Sequence, residues 1–554
     1  MKKLNFILFL TVFIFSALYA QTENKKLLYF GWKVPQFLKG WQVPVEKLEQ
    51  DLPFDGLGLH PIFELKRNGK TVRYFVAQAR IKDKNAVQLE KEDFKPWIDA
   101  FSKLKFTRFK HNFLKTTTST MSADWFDEDA WKRALNHFKM CAYFAKQTGC
   151  RGIAFDVEAY PNTTDAPFSF RPKGKHTLEE VRAQVRKRGR EWIKALAEEY
   201  PDMEIFTFHW LSYCHHNTPH SSFFLLPDFV NGMYDVLPQT MVIHDGNEDP
   251  GYRALFPGEY TKMVSDYYHF TFKLIAPENL TKFHKQTTLA TSLYLDSFIS
   301  GKRSFNNWER TPNRVKALQD AVTLSLKHAD KYAWIWAESG TFWPGQHYQN
   351  HPDWHKKIPF AKAAIHAGRD PEKAALRYAA KPNLAYNVRN WSMWLDKKKN
   401  NTGKITRESR SILFTDITTA SVTQTLRRKF NAGERYVFVV KAQVKGSCMT
   451  PSVTAFFRDK KNRIASNYKM RAKFGPAGAD NWQEAVLIVD IPAGIEVGSI
   501  TFGCHVSGSK YGFTPDSSCR FTDARIHKVV YPWETLPGKE PAKAAPKAPA
   551  GKKK

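Results

Sequence analysis

Arg151-Gly-Ile-Ala-Phe-Asp-Val-Glu-Ala-Tyr160 reads as a buried strand that ends in two carboxylates, Asp156 and Glu158. Side chains alternate along a strand, which puts Gly152, Ala154, Asp156 and Glu158 on one face and Ile153, Phe155 and Val157 on the other. The apolar face suits packing under a helix. The face of small residues followed by acids suits the inside of a barrel, with both acids emerging at the strand's C-terminal end, where parallel α/β folds carry their chemistry. An ion-paired carboxylate couple at the start of a loop is the plainer alternative.

Working outward, eight apolar strand-like segments lie between Leu27 and Trp343: Leu27 to Val34, Phe54 to His60, Phe106 to Phe113, Gly152 to Tyr160, Glu204 to Trp210, Thr240 to Asp245, Thr287 to Phe298 and Tyr332 to Glu338. Helical signals separate most of them. Thr177-Leu-Glu-Glu180 is a capping box, after which Leu178, Val181, Val185, Trp192, Ile193 and Leu196 recur at helical spacing. Val315, Leu318, Val322 and Leu326 repeat the pattern before the eighth strand, and Phe138 and Phe144 mark a helix over Asp127 to Gln147. Leu225 to Leu237 reads as a helix, with a strand at Phe229 to Tyr234 as the alternative. Strands alternating with helices in this number predict a (β/α)8 TIM barrel.

After about Pro382 the helical period stops. Short alternating segments follow, such as Tyr436 to Val444, Val453 to Phe457 and Ser499 to Val506, with turn-rich gaps at Asn431-Ala-Gly433 and Pro476-Ala-Gly-Ala-Asp480. That texture predicts an all-β jelly-roll or sandwich domain. The expected organisation is a signal peptide over 1–20, the barrel over 21–380, the β domain over 381–534 and a disordered basic tail over 535–554. Met1-Lys-Lys3, the apolar run Phe6 to Phe15 and Ser16-Ala-Leu-Tyr-Ala20 carry the signal-peptide expectation, and with it export to the periplasm or medium. Six cysteines among 554 residues are too few for a disulfide-built scaffold, although export permits a bridge among Cys448, Cys504 and Cys519. A formal net charge of +30 favours a polyanionic partner, such as a sulfated or uronic polysaccharide, and export disfavours nucleic acid. A generally basic composition with no specific anionic ligand is the bland alternative.

The C-terminal region resembles a carbohydrate-binding module of the family 4/9 type. The resemblance rests on Asn383-Leu-Ala-Tyr-Asn-Val-Arg-Asn-Trp391, Ser421-Val-Thr-Gln-Thr-Leu426, Ala432-Gly-Glu-Arg-Tyr436 and Phe521-Thr-Asp-Ala-Arg-Ile526. It implies sugar binding on exposed aromatics, with Trp391, Trp394 and Trp482 as candidates or as core. Phe155-Asp-Val-Glu158 resembles in part the fourth-strand motif of chitinase-like enzymes, which implies an acid role for Glu158. The upstream aspartates of that motif are replaced here by Ala154 and Arg151, so only the acid role is carried over.

Glycosidic cleavage uses one carboxylic acid to protonate the leaving oxygen and a second carboxylate across the bond. Glu158 is the expected acid/base, with Asp156 tuning its charge or acting as nucleophile. The opposing carboxylate is expected from another strand end, Asp245 first and Glu338 next. Strand-end residues His60, Lys110, Asn112, Tyr160, His209, Trp210, Glu248, Asp296 and Trp336 are the expected substrate contacts. The function read from these residues is an exported glycoside hydrolase acting on a polysaccharide, without a cofactor. A degenerate barrel that binds polysaccharide without cleaving it is the alternative. A metal hydrolase using His209, Cys214-His-His216 and His220 ranks lower, because their spacing matches no established site.

Overall fold

The computed structural model describes residues 25–31, 44–67, 69–78, 86–118, 121, 124–158, 166–170, 175–216, 221–299, 313–343, 353–396, 403–446, 449–492, 494–508 and 517–535. Residues 1–20, where a signal peptide is expected, and residues 536–554 of the expected basic tail lie outside these residues. The chain divides between Arg369 and Asp370 into two compact units.

The first unit is built on β1 (Lys26–Gly31), β2 (Gly56–Leu59), the hairpin β3 (Ile62–Arg67) and β4 (Lys70–Phe75), then β5 (Phe113–Thr117), β6 (Gly152–Asp156), β7 (Glu204–Thr207), β8 (Val242–Asp245), β9 (Thr287–Leu289), β10 (Thr291–Tyr294) and β11 (Tyr332–Ala337). Apart from the hairpin, all pair in parallel in the order β10-β11-β1-β2-β5-β6-β7-β8-β9. The two ends of that order are halves of one run separated only by Ala290, so the sheet comes round on itself as the (β/α)8 barrel expected from the sequence.

Alternation decides what fills the ring. Leu28, Phe30, Phe113, Ala154, Phe206, Phe208, Ala290, Tyr332 and Trp334 form one buried cluster inside it, with Trp336 packed on top. Gly58 is required there: a Cβ would stand 2.1 Å from Cδ1 of Phe30. On the outer face of β6, Phe155 meets Trp192 at a ring separation of 5.2 Å and Phe138 at 5.7 Å. Trp192 belongs to the helix Leu178–Glu199, which the Thr177/Glu180 capping box starts and which also buries Val185, Ile193 and Leu196. Asp127 caps the helix Glu128–Gln147 by accepting from the amide of Ala130. Leu226–Val236 is helical, as the apolar period indicates.

One strand starts later than its composition suggests. The run from Phe106 does not join the ladder, because the Glu49 carboxylate accepts the amides of Thr107, Arg108 and Phe109 at 2.8–3.1 Å. Backbone donors held by a side chain cannot pair with a neighbouring strand. The third barrel strand is therefore β5, from Phe113 to Thr117.

The second unit is a sandwich of two five-stranded antiparallel sheets. One runs in the order Ser392–Leu395, Thr419–Arg427, Ser499–Gly508, Met449–Arg458, Ile464–Lys473, and the other Lys404–Arg407, Ser411–Thr415, Ser518–Val529, Arg435–Lys445, Trp482–Asp490. Phe414, Phe438, Phe502, Phe521, Val453 and Val489 fill the space between them. Trp391 is core, Trp482 is half-buried, and Trp394 on an edge strand is 54% exposed. Cys504 and Cys519, on opposite sheets, are buried free thiols; Cys448 lies outside the described residues. Among the described residues no helix is long and apolar enough to cross a membrane.

Candidate active site at the C-terminal rim of the barrel

The inward face of β6 delivers Asp156 to the rim, where it is 8% exposed. Its Oδ1 accepts the amide of Glu158 at 3.0 Å, which fixes the turn of chain leaving the strand. Its Oδ2 stands 3.2 Å from the ammonium of Lys115 on β5. Lys115 follows Phe113 on the inward face, is fully buried, and lies 4.0 Å from the centroid of the Trp336 ring and 5.4 Å from that of Phe208. Burial pulls the Lys115 pKa down, while Asp156, Glu248 and Glu158 act the other way. Lys115 thus joins the fourth barrel strand to the aromatic floor supplied by the eighth.

A third strand read over Phe106 to Phe113 stops short of Lys115 and nominates instead Lys110 and Asn112, which precede β5 and sit at its N-terminal end. Lys110 is exposed. Asn112 is buried as a brace, accepting from the amide of Leu57 at 2.9 Å and donating to the carbonyl of Phe109 at 2.6 Å. The pattern Phe113-Leu-Lys-Thr-Thr-Thr118, a lysine two residues from an inward phenylalanine in a β-branched run, carries the signal that finds Lys115.

Glu158 is exposed beside Asp156, and His209 completes the group: one donor atom from each of the three lies within 4.8 Å of the others. His209, just past β7, is 8% exposed, with its ring parallel to that of Phe223 at 5.9 Å and edge-on to Tyr213 at 4.5 Å. Its Nε2 stands 3.1 Å from Glu248, which in turn accepts from the hydroxyl of Tyr252 at 3.3 Å. Burial works against a charged imidazole, yet Glu248, Asp156 and Glu158 outweigh it and raise the His209 pKa to about 9. His60 is pushed the other way, well below the usual histidine value, by burial and then by Lys115. It is neutral near pH 7.

Across the ring, Glu338 leaves β11. Its carboxylate accepts from the Tyr294 hydroxyl at 3.1 Å and from the Trp336 indole at 2.9 Å. Asp296 supports it from behind, accepting the amides of Glu338 at 2.8 Å and Ser339 at 3.1 Å. Asp296 is 1% exposed, so it positions the loop after β11. Glu248, Tyr252, Tyr294 and Trp336 line a small hollow at this rim.

Asp245 ends β8 on the face opposite His244, the residue that points into the ring against Phe113, Phe206 and Tyr332. It is fully buried and bonded by the Ser212 hydroxyl at 3.0 Å and the Asn247 amide at 3.2 Å. Trp210 is also fully buried, packed on Phe155 at 6.4 Å. Tyr160 and the side chains of His215, His216 and His220 lie outside the described residues. The Cys214 thiol is buried, which raises its pKa.

Burial pushes the Asp245 carboxyl up from 3.8 to about 6, against the hydrogen bonds from Asn247 and Ser212. A carboxyl with a raised folded-state pKa contributes stability fully present below its unfolded value and lost as pH rises through its folded value. The barrel's unfolding free energy should therefore fall by an Asp245 component of order 3 kcal/mol between about pH 4 and 6, at 1.36 kcal/mol per pKa unit. Urea titrations across that window should show the fall in the parent and a flatter profile in Asp245→Asn. Equal slopes would refute the assignment.

No protein-family model and no curated protein sequence matches the chain. Among solved structures it is similar to the enzymatically active domain of bacteriophage CBA120 tailspike protein 4, at 14% identity and a TM-score of 0.21, covering 26% of this chain and 21% of that one. It is also similar to TmCBM61 in complex with β-1,4-galactotriose, at 13% identity and a TM-score of 0.19, covering 27% and 99%. A third is the CBM22-1 xylan-binding domain of Paenibacillus barcinonensis Xyn10C, at 12% identity and a TM-score of 0.19, covering 27% and 98%. The chain spans about a fifth of the tailspike domain and nearly all of the two modules. At these scores the likenesses carry no argument about function, which rests on the site itself.

Proposed function

We propose that the chain is an exported glycoside hydrolase that cleaves a polysaccharide at this rim. The observation that carries the reading is the placement of Glu158 and Glu338. They follow the fourth and eighth strands of an eight-strand ring, and Lys115 spans the ground between by touching both Asp156 and Trp336. Opposed carboxylates over an aromatic floor are what protonation of a leaving oxygen and attack from the other face require. Glu158, exposed at the mouth, is the acid/base. Glu338, aimed by Tyr294 and Trp336, is the nucleophile or base. Asp156 and Glu248 set the field around Glu158 through Lys115 and His209 rather than by contact with the reacting bond. Trp336 is the stacking surface for a sugar ring. The net charge of +30 favours a sulfated or uronic substrate, and export follows from the first twenty residues.

The test is reducing-end release from a panel of neutral, uronic and sulfated polysaccharides by the mature chain and by Glu338→Gln. Release by the parent with a loss of at least about 100-fold in the variant is expected. If neither protein releases sugar while both are retained in an affinity gel by one polysaccharide, the chain is a binding protein and the catalytic reading fails.

A further inference from the structure

We infer that one sheet of the β-sandwich, the one ordered Ser392–Leu395, Thr419–Arg427, Ser499–Gly508, Met449–Arg458, Ile464–Lys473, binds on its outer face a polysaccharide that carries carboxylate or sulfate groups. The inference concerns the second unit alone and stands apart from the hydrolase reading.

Val422, Val453, Phe502 and Cys504 of this sheet point into the sandwich core, so the residues alternating with them point outward. The register sets the outward residues Trp394, Ser421, His505, Ser452 and Lys473 in one row that crosses all five strands. At about 4.8 Å per strand that row spans roughly 19 Å, long enough for several rings of an extended sugar chain. In the adjoining row Gly503 leaves the centre without a side chain, and Thr454 and Arg471 follow it. A Cβ on Gly503 would stand 2.7 Å from Nε2 of His505, which itself lies 2.6 Å from the Thr454 hydroxyl oxygen. Ser421, Thr454 and Thr501 are buried although they face outward, whereas Trp394, Arg471 and Lys473 on the two edge strands are exposed. A low middle between raised edges is the profile of a trough. It carries hydroxyls and an imidazole along the floor, an indole at one edge and two cations at the other.

Charge selects the occupant. None of the five strands contains an aspartate or a glutamate. Arg427, Arg471 and Lys473 are exposed and make no ion pair among the described residues. On the opposite sheet the outward arginines are neutralised: Arg435 by Asp490, Arg520 by Glu408 and Arg525 by Glu484, all within 3.2 Å. A face of one sign with no acid to cancel it draws a polyanion, and a guanidinium fork matches two oxygens of a carboxylate or sulfate. A neutral glycan would use the floor and leave the basic edge without a purpose.

The experiment is isothermal titration of the mature chain in about 0.15 M salt, where long-range attraction is screened, with polygalacturonate, dextran sulfate, neutral galactan and dextran. Every protein compared carries Glu338→Gln, so that no sugar chain is cut. Arg471→Ser with Lys473→Ser removes the basic edge, and Lys441→Ser with Lys445→Ser removes the same charge from the opposite sheet. Circular dichroism first shows that all are folded. Binding of one anionic chain, about tenfold weaker without Arg471 and Lys473 and within about twofold of the parent without Lys441 and Lys445, is the expected result. Hydrogen exchange should show the bound chain protecting Ser499–Gly508 and Ile464–Lys473. The two anionic arms separate uronate from sulfate. Equal losses in both pairs mean adhesion by net charge alone and overturn the site, as do preference for a neutral chain, protection confined to the barrel, or no binding. Sugar release by the parent is assayed separately, so a failed trough and a failed hydrolase reading give different results.

Discussion

Glu158→Gln should lower kcat/KM for polysaccharide cleavage about 10²–10⁴-fold, the range in which a positioned general acid contributes. The amide keeps the shape of the side chain and has no proton to give. Glu158 is exposed and its backbone amide already bonds Asp156 at 3.0 Å, so the substitution leaves the fold of the rim in place. The loss should depend on the leaving group. An aryl glycoside of the same sugar with a strongly acidic phenol needs little protonation, so the variant should retain most of its activity there. Equal losses on both substrates would show that Glu158 holds the substrate and is not its acid.

The second large effect is on stability. Asp156→Ala strips the fully buried Lys115 of the carboxylate 3.2 Å away and should destabilise the barrel by about 3–5 kcal/mol, the cost of leaving one member of a buried pair behind. Lys115→Met combined with Asp156→Leu removes both charges and should recover most of that loss. The measurement is a double-mutant cycle in urea over Asp156→Leu, Lys115→Met and their combination, read on the transition that Asp156→Ala moves. If the double variant is as unstable as Asp156→Ala, the pair is not coupled and Lys115 is held by its contacts with Trp336 and Phe208 alone.

The distance between reading and structure is set by which contacts are local. β6 was legible because five consecutive buried residues, two faces and two terminal acids all lie within one short run. The helix after it was legible because Thr177 and Glu180 bond each other's backbone three residues apart. Trp334 and Trp336 share the inward face of β11, as alternation required. The third strand was misplaced because the group that excludes Phe106 to Phe109 from the ladder, Glu49, belongs to a helix far back in the chain. Two substrate candidates were lost with that boundary and Lys115 was hidden by it. The strand-end position of Asp245 suggests an opposing acid, yet His244, not Asp245, faces the ring. Glu248, named only as a contact, proves to hold His209.

The sequence by itself determined the architecture: alternation and helical period choose strand or helix, caps start the helices, and the loss of helical period after Pro382 announces an all-β second unit, whose boundary with the first falls earlier, between Arg369 and Asp370. Those choices are made by neighbours in the chain. Which strand-end groups meet was decided only by closure of the ring, which sets Lys115 against Asp156 and Trp336, His209 against Glu248, and Tyr294 against Glu338. The physical reason is that a buried charge is tolerable only beside its partner. Those partners come from different strands, and only the folded barrel brings them within reach.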